Sequence, residues 1–183
     1  MPRRSRQGRP VALTAGLALA GLCLVACAPR PAPVSPAREE VWAAIQPMAW
    51  RYHIDPMFIY ALVAAESNFD AHARNGEARG LMQIKPQAWH TVSDAPYEPA
   101  VWDWRRNLET GIDYLAWTRS YLHQKGKFSY PALLAAFHYG LDFAEERGFD
   151  PRRLDPPGNP IYRELWRGNL RPVPPPQSQG GGR

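Results

Sequence analysis

Residues 55–69, DPMFIYALVAAESNF, decide the fold. Asp55 followed by Pro56 is a helix start. The Asp side chain accepts from free amides of the first turn, and Pro, with no N–H to lose, suits the first helical position. A helix is predicted from Met57 to about Ser67. Along it Ile59, Leu62, Val63 and Glu66 share one face, because Glu66 lies three, four and seven residues beyond the others. Met57, Phe58, Ala61, Ala64 and Ala65 make the remaining faces apolar as well, the pattern of a buried helix. Glu66 therefore places a carboxylate on a core-directed face, near a helix C-terminus whose partial charge opposes it. A carboxyl so placed has a raised pKa and keeps its proton near neutrality, as a general acid requires. A Glu paired with Arg74 or Arg79, or one turned outward as the helix frays, fits this segment equally well.

Outward from this helix the same start signals recur. Ser35-Pro36 is predicted to open a first helix carrying Val41, Trp42, Ile45, Ala49 and Trp50. Asp103 caps a longer one with Leu108, Ile112, Leu115 and Leu122. Ser129 to Tyr139 forms another, stopped by Gly140, and Asn159-Pro160 opens the last, through Ile161, Leu165 and Trp166. No stretch sustains period-two alternation, so the fold class is mainly α, with long loops around residues 70–80 and 92–101. Trp42, Trp50 and Trp117, at helical spacing, are read as core. All 7 Trp, 8 Tyr and 6 Phe lie within Trp42–Trp166, enough apolar material for a core without disulfides.

The ends of the chain are of another kind. The net charge of +5 suggests a nucleic-acid partner until it is located. Arg3, Arg4, Arg6 and Arg9 supply most of the excess, and beyond them acids and bases nearly balance, so no nucleic acid is expected. These arginines precede Val11–Ala26, an uncharged run in the length range of a signal h-region and short of a spanning helix. Leu24-Val25-Ala26-Cys27 resembles the bacterial lipoprotein box, which implies removal of residues 1–26 and a lipid on Cys27. Ala28 is not the Asp that retains such proteins at the inner membrane, so the expected place is the outer membrane, facing the periplasm. An uncleaved anchor or core segment, with Cys27 an ordinary thiol, is the alternative. Residues 27–37 read as a stiff Pro-rich linker, 38–170 as the folded domain and 171–183 as a disordered Pro/Gly-rich tail. After cleavage one cysteine remains, which excludes an intramolecular disulfide and a cysteine metal site. His53, His72, His90, His123 and His138 show no metal-ligand spacing, and there is no Gly-rich phosphate loop, so neither metal nor cofactor is expected.

Four motifs then occur in order. Glu66-Ser67-Asn68-Phe69 is followed by Ala78-Arg79-Gly80-Leu81-Met82-Gln83-Ile84-Lys85-Pro86. Next come Asn107-Leu108-Glu109-Thr110-Gly111-Ile112-Asp113-Tyr114-Leu115 and Leu134-Ala135-Ala136-Phe137-His138-Tyr139-Gly140. This order resembles the soluble lytic transglycosylase domain over roughly Val41–Trp166. The resemblance implies a lysozyme-like helical domain with long loops around a substrate groove. It also implies cleavage of the β-1,4 bond between N-acetylmuramic acid and N-acetylglucosamine in peptidoglycan strands, without water. Glu66 would protonate the leaving oxygen and then act as base while the muramoyl 6-hydroxyl closes a 1,6-anhydro ring. Glycosidases use two carboxylates; an intramolecular hydroxyl removes the need for the second, and its proximity supplies much of the rate. Asp70, the nearest other acid along the chain, falls beyond the helix.

By the same resemblance Met82 and Gln83 lie beside the sugar subsites, and Gly80 lets backbone approach sugar; a core Met, a loop Gln and a turn Gly are the alternatives. Ser67 orients Glu66 or caps its helix, and Tyr162 matches a late groove Tyr or is an ordinary helix-face Tyr. Asn107 and Gly111 read as structural. The family pattern is broken twice. Phe137-His138 stands in place of Tyr-Asn, removing a phenol near the acid, and Glu77 stands where a Gly is usual. Tyr139 or Tyr162 is then the candidate source of the missing hydroxyl. His138 either packs as a neutral ring or lines the groove, where its protonation would weaken the acid at low pH. A muramidase of the same fold, or a non-catalytic peptidoglycan-binding lipoprotein, are the alternative functions.

Overall fold

The computed structural model describes residues 34–177; the candidate signal segment, Cys27 and the last six residues lie outside them. Among the described residues there are eight α-helices: α1 Arg38–Tyr52, α2 Pro56–Ser67, α3 Pro86–Val92, α4 Tyr97–Ala100, α5 Trp104–Gln124, α6 Tyr130–Tyr139, α7 Leu141–Glu146 and α8 Pro160–Trp166. Two-residue strands β1 (Arg74–Asn75) and β2 (Ala78–Arg79) pair antiparallel between α2 and α3. The architecture is mainly α, as the periodicity indicates.

Helix α2 is the centre. Phe58 through Ala64 are all buried, with Phe58, Ile59, Ala61, Leu62 and Val63 wholly inaccessible. Each large side chain so enclosed contributes about 1.5–3 kcal/mol. Helices α1 and α8 pack on α2, α5 packs against α1, α3 and α6, and α6 reaches α8. The caps behave as the sequence implies. Asp55 accepts from the Met57 amide at 2.8 Å, Asp103 from Arg105 and Arg106, and Ser129 from Ala132.

Three expectations are corrected. Ser35-Pro36 does not open α1, which begins at Arg38 with the Glu40 carboxylate accepting from the Ala37 amide at 2.9 Å. Ser35 instead braces the turn after α2, donating to Asp70 at 3.1 Å and accepting from the Ala71 amide at 3.0 Å. The segments expected as loops near 70–80 and 92–101 hold the hairpin and α4. Trp50 is 80% exposed and Trp42 only partly buried, because the inward positions of α1 are Val41, Ile45 and Ala49, one residue away from each. Trp117, 40% exposed, is not core either.

Candidate active site

Glu66 sits in the last turn of α2, half-buried, on the wall of a groove of about 750 Å³. It is bridged to neither Arg74 nor Arg79. Arg79 spends its guanidinium on the Gly76 and Ala78 carbonyls, at 2.6 and 2.9 Å, and Arg74 lies over the Trp102 ring. The partner of Glu66 comes from the far end of the chain, where the Tyr162 hydroxyl on α8 donates to Glu66 Oε1. Burial pushes the Glu66 carboxyl up to about 7, while the Tyr162 bond and the positive charge of Lys85 hold it from rising further. Tyr162, itself 3% exposed and facing that carboxylate, is raised well above the usual phenol range by burial first and the carboxylate second. It therefore remains a donor. Of the two candidate hydroxyls, Tyr139 is engaged elsewhere, on the Asp155 carbonyl.

Local structure explains why Tyr162 arrives there. Asn159 caps α8 by accepting from Ile161 and Tyr162 amides, and its own amide group donates to the Ala65 carbonyl at 3.1 Å. One side chain thus starts α8 and fastens it beside Glu66. Sequence reading marks Asn159 as a cap only; its link to α2, 94 residues back, leaves no local signal.

The other expected site residues divide. Gln83, Phe137 and His138 line the groove with Glu66. Gln83 is held by two bonds from Nε2 to the Ala73 and Gly80 carbonyls, at 3.0 and 2.9 Å. Phe137 tilts against Tyr114, and the His138 ring packs edge-on to Tyr162 at 5.1 Å. Burial, then the positive charge of Lys85, lower the His138 pKa from the ordinary histidine value.

Ser67, Gly80 and Met82 do not line the groove. The Ser67 hydroxyl bonds back to the Val63 carbonyl at 3.2 Å. Met82 is wholly buried against Gly111, where an added Cβ would lie 2.4 Å from its sulfur. Gly80, at φ +76°, is tight against Asn107, with Nδ2 only 2.4 Å from where a Cβ would stand. The two glycines make room for core side chains, Asn107 at Gly80 and Met82 at Gly111. Asn107, fully buried, accepts from the Met82 amide at 2.9 Å and donates to the Arg79 and Val101 carbonyls. It locks the turn that presents Gln83, in agreement with its structural reading.

Sequence reasoning missed Lys85 and Trp117, which line the groove as well. Two further acids, Glu77 and Asp142, share it, yet neither contributes to the shift of Glu66. Asp70 is spent on Ser35 and the His72 amide. Among the described residues no group of three or more His, Cys, Asp or Glu side chains is placed to hold a metal ion. The site thus offers one proton-bearing carboxyl, ordered by a phenol, in a groove open to an extended ligand.

No curated protein matches the chain. The family model for the transglycosylase SLT domain matches residues 43–148, from α1 through the end of α7. That stretch holds all four motifs and more than half of the chain. Its mainly helical, lysozyme-like architecture is the one described above. The chain belongs to the transglycosylase SLT domain family, whose activity is of the lytic transglycosylase type on peptidoglycan.

Proposed function

We propose that this protein cleaves the β-1,4 bond between N-acetylmuramic acid and N-acetylglucosamine, with Glu66 as its sole acid/base. The observation that carries the reading is the placing of Glu66, a carboxyl on the groove wall that burial raises to about 7 and that takes its hydrogen bond from the Tyr162 hydroxyl and not from a second carboxyl. Protonated Glu66 gives its proton to the glycosidic oxygen, and the bond from that oxygen to the muramoyl C1 breaks. The resulting carboxylate, stabilised by the Tyr162 hydroxyl and Lys85, takes the proton of the muramoyl 6-hydroxyl as its oxygen bonds to C1. Products are a 1,6-anhydro end and a new 4-hydroxyl, and Glu66 is again protonated. No water is consumed. Gln83, Phe137 and His138 contact sugar beside the reacting bond.

Digestion of isolated sacculi followed by mass spectrometry tests this. Anhydro ends are expected; reducing ends identify a muramidase, and no products a binding protein. Glu66→Gln keeps the shape without the proton, and activity is expected to fall by about 10²–10⁴ or more. A folded Glu66→Gln protein that still cuts glycan overturns the assignment.

The anchoring at the outer membrane, facing the periplasm, is likewise proposed, on Leu24-Val25-Ala26-Cys27 and the arginines before it. Cys27→Ser is expected to leave unprocessed precursor, read by mass and by membrane partition. Normal processing of that variant contradicts the anchor.

A further inference from the structure

Among the described residues four large apolar side chains are left exposed: Val34, Trp50, Trp117 and Phe143. Two of the four, Trp117 and Phe143, line the one groove that holds Glu66. Large aromatic area left open inside a groove marks ligand contact better than chance exposure does.

The Trp117 ring is ordered before any ligand arrives. It stacks on Tyr114, with centroids 5.8 Å apart and planes 18° apart, and on Tyr121 at 6.2 Å and 27°. These residues follow one another on one face of α5. Tyr121 is itself fixed, donating to Glu145, which pairs with Lys125 at 2.9 Å. Phe143 is more fully engaged, with the Arg147 guanidinium 3.4 Å from its ring centre and Tyr139 stacked at 5.3 Å. Trp117, whose neighbours are offset further, keeps ring area free for a partner.

The position is also informative. Tyr162 bonds to Glu66, His138 packs on Tyr162, Phe137 follows Tyr114, and Tyr114 stacks on Trp117. Trp117 thus takes its ring contacts from α5, whereas Glu66, on α2, takes its partner from α8, so the two belong to different parts of the groove lining. A pyranose presents an apolar C–H face and a polar rim, so a flat, rigid aromatic ring covers the face while the rim stays hydrated.

We propose that Trp117 is a specificity-determining residue on which a hexosamine ring of the glycan strand stacks at a subsite remote from the cleaved bond. This rests on the reading that the groove takes peptidoglycan. It makes affinity depend on strand length, since only a strand long enough to reach Trp117 gains the contact. Preordering by Tyr114 and Tyr121 keeps the entropic cost of that contact low.

The test uses the full chain carrying Glu66→Gln, so that ligand is not consumed, and measures Kd by calorimetry for a peptidoglycan tetrasaccharide and octasaccharide. Affinity is expected to rise with length. Adding Trp117→Ala should weaken octasaccharide binding by about fivefold to twentyfold and remove most of that gain, while Trp117→Phe keeps most of it. Thermal melts establish that both variants fold. A gain unchanged in folded Trp117→Ala, a Phe variant as weak as the Ala one, or a parent protein indifferent to length overturns the proposal and leaves the cleavage reading standing. Binding of neither oligosaccharide by the parent overturns both.

Discussion

At the scale of the residue, three groups set the ionisation of Glu66: the apolar end of α2, the Tyr162 hydroxyl and Lys85. Burial raises the carboxyl, and the other two restrain it. Tyr162→Phe removes a bond to the charged form, so the Glu66 pKa is expected to climb above about 7. Since the acid must be protonated, the basic limb of the kcat/KM profile moves up by about one pH unit, with a lower maximal rate. An unmoved limb in the Phe variant contradicts the role given to Tyr162. A carboxylate on an all-apolar helix is an anomaly that local pattern reveals, but the pattern left Glu66 even with a paired or outward-turned Glu, and the motifs further along the chain decided it. Tyr162 was legible only as one of two candidate hydroxyls, with Tyr139, since the bonded partners lie 96 residues apart and the folded chain brings them together. For Met82 and Gly80 the sequence left a sugar-facing and a core or turn reading side by side. A Gly-Leu-Met-Gln turn looks the same whether its side chains face sugar or core, and Asn107 and Gly111 draw all but Gln83 inward.

At the scale of the element, Gly111 in α5 puts two effects in opposition. Its backbone is helical, so Ala should gain about 1 kcal/mol of propensity. Yet the new Cβ would lie 2.4 Å from the Met82 sulfur and 2.9 Å from its Cβ, within a side chain that is wholly buried. Overlap wins, and Gly111→Ala is expected to lose about 1–3 kcal/mol net in denaturant melts. Combining it with Met82→Ala should recover part of the loss, and simple additivity would show that the two do not meet. Helix starts at Asp55, Asp103, Ser129 and Asn159 were readable because a cap needs only neighbours two or three residues away. Helices of four to seven residues and strands of two carry too little periodicity to stand out, which is why α3, α4, α7 and the hairpin were missed. The inward face of α1 was misjudged at Trp50, one position beyond Ala49, because bulk and apolarity do not say which side of a helix meets the core.

At the scale of the whole molecule, the raised carboxyl is a burden on stability. Below about pH 4.5, the ordinary value, both folded and unfolded chains hold the Glu66 proton and nothing is lost. Between there and about 7 the unfolded chain releases a proton that the folded chain keeps, so stability falls as pH rises, then levels off above 7. Glu66→Gln lacks this term. Its stability advantage over the wild type is expected to grow across that window and to reach on the order of 1–3 kcal/mol above it. A difference between the two proteins that is flat with pH contradicts the burial of the carboxyl. The order of assembly has its own consequence. The matched family stretch ends at residue 148, before the helix that carries Asn159 and Tyr162. A chain emerging from the ribosome amino end first has made its acid, its groove turn and its central helix long before the phenol exists. Until α8 docks, an unfinished molecule carries a carboxyl with Lys85 alone to offset its charge, and the last of the described helices is the one that readies the first motif to act.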